Sequence, residues 1–146
     1  MACKRRSDGA NDGMGFSPGL FRPRHYATKH ALIGNRRIKV FVADTFMKKM
    51  YGLTSWNSIK NNEGMLFPIS SHAESGIWMR GMKFSIDILW LDRSGKVIDV
   101  VERAKPCRLF NCGIYYPEGP ASYVLELAAG AAKRMHIRKG TRIFVK

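Results

Sequence analysis

Ser75 to Val101 reads Ser-Gly-Ile-Trp-Met-Arg-Gly-Met-Lys-Phe-Ser-Ile-Asp-Ile-Leu-Trp-Leu-Asp-Arg-Ser-Gly-Lys-Val-Ile-Asp-Val-Val, and its pattern decides the fold. Side chains on a strand point to opposite faces in turn. From Phe84 to Leu91 this puts Phe84, Ile86, Ile88 and Trp90 on one face, and Ser85, Asp87, Leu89 and Leu91 on the other. A strand that is apolar on both faces belongs in the middle of a covered sheet. Asp87 is the one carboxylate within it. Asp92-Arg93-Ser94-Gly95 then supplies turn chemistry, with Gly95 free to take a left-handed conformation, and Lys96 to Val101 reads as the return strand of a β-hairpin.

Upstream of the hairpin, Ile38, Val40 and Val42 alternate with Lys39, Phe41 and Ala43 in a first strand. Asp44 or Thr45 stands at a helix N-cap position, Phe46 to Tyr51 forms a short helix, and Gly52 stops it. Phe46, Met47 and Met50 fall at helical spacing and are expected in the core. Trp56 to Glu63 is loop-like, and Gly64 to Phe67 is a second short strand ended by Pro68. Downstream, Pro106, Gly113, Pro117, Gly119 and Pro120 break Arg103 to Pro120 into a long irregular loop, of the kind that often carries function. Tyr123 to Leu127 returns to alternation, with Tyr123, Leu125 and Leu127 on one face and Val124 with Glu126 on the other. A helix over Ala128 to His136 and a last strand over Thr141 to Val145 complete the pattern.

A chain of 146 residues buries about two-thirds of its unfolded surface, so one core without metal or disulfide suffices. No apolar run approaches the roughly 18 residues of a membrane span. The N-terminal charges are not followed by the apolar segment of a signal peptide, so a cytoplasmic location is expected. Residues 1–36 are interrupted by Gly9, Gly13, Gly15, Pro18, Gly19 and Pro23 and opened by Lys4-Arg5-Arg6. They read as a flexible basic extension rather than a targeting segment. The net charge of +14 attracts phosphates, nucleic acid or anionic surfaces.

Six short motifs occur in one order: Gly64-Met65-Leu66-Phe67; Trp78-Met79-Arg80; Ile86-Asp87-Ile88; Leu91-Asp92 with Gly95; Tyr116-Pro117; and Tyr123-Val124-Leu125-Glu126-Leu127 with Gly130. In that order and spacing, across about residues 37–145, the chain resembles the domain-of-unknown-function 192 family. The resemblance implies an α+β domain that is mainly β, barrel-like, with one or two short helices, occupying residues 37–146. It implies no activity. Ser85 stands where the family has Pro, and Arg80 where Lys is common.

Asp87 and Glu126 are the candidate site carboxylates, because a carboxylate on a buried strand face requires a partner or hydrogen-bond donors. If they share a cleft, they form an acid/base pair or half of a metal site. If they do not, Asp87 accepts backbone N–H groups from the Trp78 to Lys83 turn and fixes that loop. Trp78 and Arg80, with Tyr115, Tyr116 and Pro117, supply an aromatic and cationic platform for a sugar or base, and serve equally as packing. Cys107 and Cys112 are close enough in sequence for a disulfide, but in a cytoplasmic protein free thiols are the favoured state. No phosphate loop, dinucleotide fingerprint, zinc-protease motif or nucleophile elbow is present. No cofactor or metal is expected, and the chain reads as a monomer.

Two functions are in play. One is a non-enzymatic or accessory binding domain, whose cleft of Trp78, Arg80, Asp87, Tyr116 and Glu126 takes a small molecule or polymer segment. The other is a nucleic-acid-binding module, in which the N-terminal arm and Lys133, Arg134, Arg138, Lys139 and Arg142 grip phosphates.

Overall fold

A computed structural model of the chain describes residues 23–108 and 110–146. The first strand, β1 (Ala27–Ile33), forms a hairpin with β2 (Arg36–Val42) through Gly34, which has a φ of 58°. Helix α1 (Phe46–Tyr51) is the crossover that lets β3 (Glu63–Pro68) lie parallel to β2. A 3-10 turn (His72–Ser75) leads to the two-residue β4 (Ile77–Trp78), and β5 (Ile86–Leu91) then pairs with β6 (Val97–Ala104). The short β7 (Ile114–Tyr115) pairs with β4. Strand β8 (Tyr123–Ala128), helix α2 (Ala131–Arg134) and β9 (Ile143–Val145) complete the fold.

Seven strands make one sheet in the order β6-β5-β8-β3-β2-β1-β9. The sheet curls into a half-barrel whose edges approach where Lys96 bridges to Arg142. Gly95 makes this approach possible. Its φ is 81°, and a Cβ there would collide with the Ile143 carbonyl, which accepts no such intrusion while the Ile143 N–H donates to Gly95 O at 2.9 Å.

Each face of β5 feeds a different core. Leu89 and Leu91 pack inside the half-barrel with Val40, Leu125, Leu127, Val97 and Ile143, and α2 closes one end with Ala131, Ala132 and Ile137. Ile86, Ile88 and Trp90 pack outside with Met65, Phe67, Val124, Leu53, Met79 and Met82. The alternation expected from Phe84 to Leu91 thus describes both cores. Trp90 also ties the outer cover down, its indole Nε1 donating to Ser75 O at 2.7 Å. Among the described residues, no helix is long and apolar enough to cross a membrane.

Several expectations change. Residues 27–36 are strand and turn within the sheet, not flexible extension, because Ala31 and Ile33 supply the inner core with β2 and β9 on either side. The rest of the expected extension, residues 1–22, lies outside the described residues. Helix α1 has the foreseen ends: the Thr45 hydroxyl accepts from Lys48 N at 3.3 Å, and Gly52 N–H donates to Lys48 O at 2.8 Å. Its apolar residues, however, are not core. Phe46 is 63% exposed, Met47 is also exposed and Met50 is half-buried, while the flanking Ala43 and Leu53 take the core positions. Helix α2 is one turn only, since Ala128 completes β8 and Gly130 takes the N-cap at a φ of 81°. Cys107 and Cys112 are joined as a disulfide, with Cα atoms 5.8 Å apart, rather than free.

Candidate functional site

Strand β8 lies between β3 and β5, and its register sets where each carboxylate points. Glu126 is opposite Met65 on one side and Ile88 on the other, so it faces the outer core. Asp87 is opposite Leu127 and faces the inner core. The two carboxylates therefore sit on opposite faces of the sheet, and the acid/base pair or shared metal site they were expected to form does not arise.

Asp87 is fully buried and saturated. Its Oδ1 accepts the N–H of Arg103 at 2.8 Å and of Gly130 at 3.0 Å, and its Oδ2 accepts the N–H of Ala132 at 2.8 Å. Three backbone donors satisfy a carboxyl that would otherwise be costly to bury. Asp87 thus fixes a loop, as the structural alternative required. The loop is the junction of β6 and α2, not the Trp78 to Lys83 turn.

Glu126 is the contrary case. It is 6% exposed, among the apolar side chains of the outer core. Burial pushes its pKa from the ordinary 4.5 up to about 8, so at neutral pH it is mostly the neutral acid. It lines a cavity of about 60 Å³ walled by Tyr51, Leu53, Phe67, Trp78 and Met82. That space holds a few waters or one end of a ligand. At the rim, Lys49 Nζ meets Glu74 Oε2 at 3.3 Å. The N–H and hydroxyl of Ser70, each donating at 3.1 Å, help keep the Glu74 pKa below its ordinary value, the backbone N–H most strongly. One cavity is thus lined by a neutral acid and an ionised one. The neutral acid can donate or accept a hydrogen bond, while the ionised one is committed to Lys49 and Ser70.

The aromatic platform stands beside this cavity. Strand β4 carries Trp78, and the Arg80 guanidinium carbon lies 5.7 Å from the Trp78 ring centroid. Tyr116 stacks on His72 with ring centroids 5.3 Å apart and covers Gly76, where a Cβ would meet its ring at 2.7 Å. The disulfide loop is pinned to the same wall, with Cys107 N–H donating to Met79 O at 3.0 Å. Of the five expected cleft residues, Trp78 and Glu126 line the cavity and Arg80 and Tyr116 flank its β4 wall, while Asp87 does not join them. Tyr51, Leu53 and Glu74 were missed. The helix stop at Gly52 was the available signal, since it turns the chain back across the sheet at that point.

The expected basic grip is unevenly available. Lys139 is engaged by Glu118 at 2.6 Å and Asp99 at 3.6 Å, and Arg134 donates to Asn61 Oδ1 at 2.9 Å and Ala129 O at 3.2 Å. Arg142 reaches Ser94 Oγ at 3.5 Å. Lys133 and Arg138 are exposed.

Comparison with known proteins places this geometry. The chain is 32% identical over 105 residues to a UPF0127 protein of Thermococcus kodakarensis and 31% identical over 105 residues to one of Thermococcus sibiricus. Each alignment covers 72% of this chain, and the chain spans only 63% and 64% of the length of those relatives. Among solved structures it is similar to a suggested transcription regulator of Sinorhizobium meliloti, with a TM-score of 0.69 and 25% identity over 82% of this chain and 95% of that one. A protein of unknown function from Novosphingobium aromaticivorans shares the fold, with a TM-score of 0.68 and 20% identity over 89% of this chain and 99% of that one. The domain-of-unknown-function 192 profile, described as uncharacterised ACR, matches residues 28–145, from the start of β1 to the end of β9, and the chain belongs to that family.

Proposed function

We propose that the domain is a binding module that takes a small molecule, or the end of an extended polymer segment, in the cavity over Glu126. The observation that carries this reading is a carboxyl, more than nine-tenths buried, that lines a cavity and that burial holds in its neutral form at pH 7. A neutral acid lining a concave, mostly apolar space can orient one polar group of an incoming ligand. A neutral acid beside Tyr51 and Trp78 suits a ligand with an apolar body and one group that both donates and accepts, such as a hydroxyl, amide or amine. No step of bond making or breaking is needed to account for these residues, and we read the domain as accessory rather than enzymatic. A cytoplasmic location fits the charge but not the Cys107–Cys112 disulfide, which persists in oxidising compartments.

The test is a fragment screen with small alcohols, amides and amines carrying an aromatic or aliphatic ring, read by backbone and side-chain NMR shifts at pH 7. Hits should converge on Tyr51, Leu53, Trp78 and Glu126, and Glu126→Ala should weaken them tenfold or more. Hits scattered over the surface, or unchanged in that variant, would sink the reading.

A second reading keeps nucleic acid as the partner. It is favoured by the net charge of +14 and by the description of the Sinorhizobium meliloti neighbour. Binding to random DNA should then lose affinity steeply between 50 and 200 mM salt, with a slope set by the phosphates contacted. A shallow slope would remove it.

A further inference from the structure

We infer that Arg103, Arg134 and Gly130 form an anion site for a phosphoryl group, organised from beneath by the buried carboxylate of Asp87. This site does not depend on the Glu126 cavity.

Arg103 has a φ of 52°, one of two left-handed residues other than glycine among the described residues. That conformation is sparsely populated for a long side chain and persists only where the surroundings hold it. The hold is visible, because Arg103 N–H donates to Asp87 Oδ1 at 2.8 Å. The same carboxylate binds the N–H groups of Gly130 and Ala132, so Asp87 sets the end of β6 against the start of α2.

The consequence lies above Gly130. A terminal guanidinium nitrogen of Arg103 and one of Arg134 each lie 3.1 Å from the point that a Cβ on Gly130 would occupy. The two nitrogens are therefore no further apart than twice that distance. Arg134 is held there by Asn61 Oδ1 and Ala129 O, both neutral acceptors. Among the described residues the ion pairs involve Lys48, Lys49 and Lys139, and none includes Arg103 or Arg134.

Two converging guanidiniums with only the buried Asp87 carboxylate beneath them carry an excess of positive charge, in a chain whose net charge is already positive. Left to itself, a flexible Arg103 would swing away, yet the strained backbone and the Asp87 bond aim it inward. A tetrahedral oxyanion fits between them, because each planar fork can donate to two of its oxygens, and exposed Lys133 on α2 adds a third cation nearby in sequence. The group is either a free phosphate or phosphorylated metabolite, or the backbone of a nucleic acid.

The experiment titrates the full chain with inorganic pyrophosphate and, separately, with a short random DNA duplex, following the Gly130 amide and the Arg side-chain NMR signals at 50 mM salt. Saturable shifts at Gly130, Arg103 and Arg134 with pyrophosphate identify a small phosphate ligand, and shifts there with DNA alone identify a strand. Arg103→Gly relieves the left-handed strain, so it should fold normally and lose tenfold or more in affinity, as should Arg134→Gln. Lys96→Gln, which removes an exposed lysine of the β5–β6 turn, should change little. No saturable shift at Gly130 with either titrant, or an equal loss in all three variants, would overturn the proposal in favour of diffuse surface charge.

Discussion

Glu126 makes the folded protein hold a proton that the unfolded chain has released, and this has a measurable consequence. Its pKa is near 4.5 when exposed and about 8 when buried over the cavity. Below 4.5 both states are protonated and the contribution to stability is fully present. Between 4.5 and 8 only the folded state keeps the proton, so stability falls as pH rises, at about 1.4 kcal/mol per pH unit where the difference is one whole proton. Across the window the loss amounts to about 5 kcal/mol, a large part of the roughly 5–15 kcal/mol by which domains are stable. Glu126→Gln keeps the shape and the neutral, hydrogen-bonding character of the acid but cannot ionise. Urea melts of both proteins at half-unit steps from pH 5 to 9 should show wild type losing stability relative to the variant, with the curves parting above pH 5. Subtracting one protein from the other removes every other titration. A difference that stays flat across this range would mean that the carboxyl is ionised and partnered, and the cavity would lose its claim as a binding site.

The other carboxylate responds differently. Asp87→Asn leaves one oxygen to accept from Arg103 and Gly130 but turns an amide nitrogen toward the Ala132 N–H. The expected cost is about 2–4 kcal/mol, with a melting temperature lower by roughly 10 °C and ligand uptake at Glu126 unchanged; a loss below about 2 °C would contradict the burial and bonding described. Gly95→Ala must admit a Cβ against the Ile143 carbonyl at a φ of 81°, and should destabilise by about 2–4 kcal/mol in denaturant melts, most visibly as faster amide exchange at Ile143. Phe46→Ser and Met47→Ser, on the exposed side of α1, should each shift stability by less than about 0.5 kcal/mol. A loss of 2 kcal/mol or more would return them to the core.

Much of the fold was legible because the hydrophobic pattern of β5 is written twice, once for each face, and because Thr45, Gly52 and Gly95 are chemically suited to the ends and turns they make. Strand β1 was not. Along Ala27 to Ile33 only Ala31 and Ile33 are buried apolar positions, and Lys29 interrupts the face that they share. The Gly34-Asn35 pair that follows is nevertheless a hairpin dipeptide and could have revealed the strand. The exposure of α1 was hidden for another reason: over six residues, helical spacing shows which side chains share a face but not whether that face meets the sheet.

The site turned on strand register, which no local pattern reveals. The alternation in β8 pairs Glu126 with Val124, and that in β5 pairs Asp87 with Leu89. Whether the two carboxylates share a face depends on which residue of one strand lies opposite which residue of the other. A shift of one residue would reverse the answer. With Ile88 opposite Glu126, each carboxylate meets a different core. On the inner side, the turn after β8 brings backbone N–H groups within reach, so Asp87 is satisfied by the chain's own donors. On the outer side the cover is largely apolar, with Leu53, Phe67 and Met82 over the carboxyl, and burial there keeps Glu126 protonated. Two carboxyls on neighbouring strands are thus divided by the sheet between them: one accepts three backbone N–H groups and holds the fold, and the other lines the outer cavity.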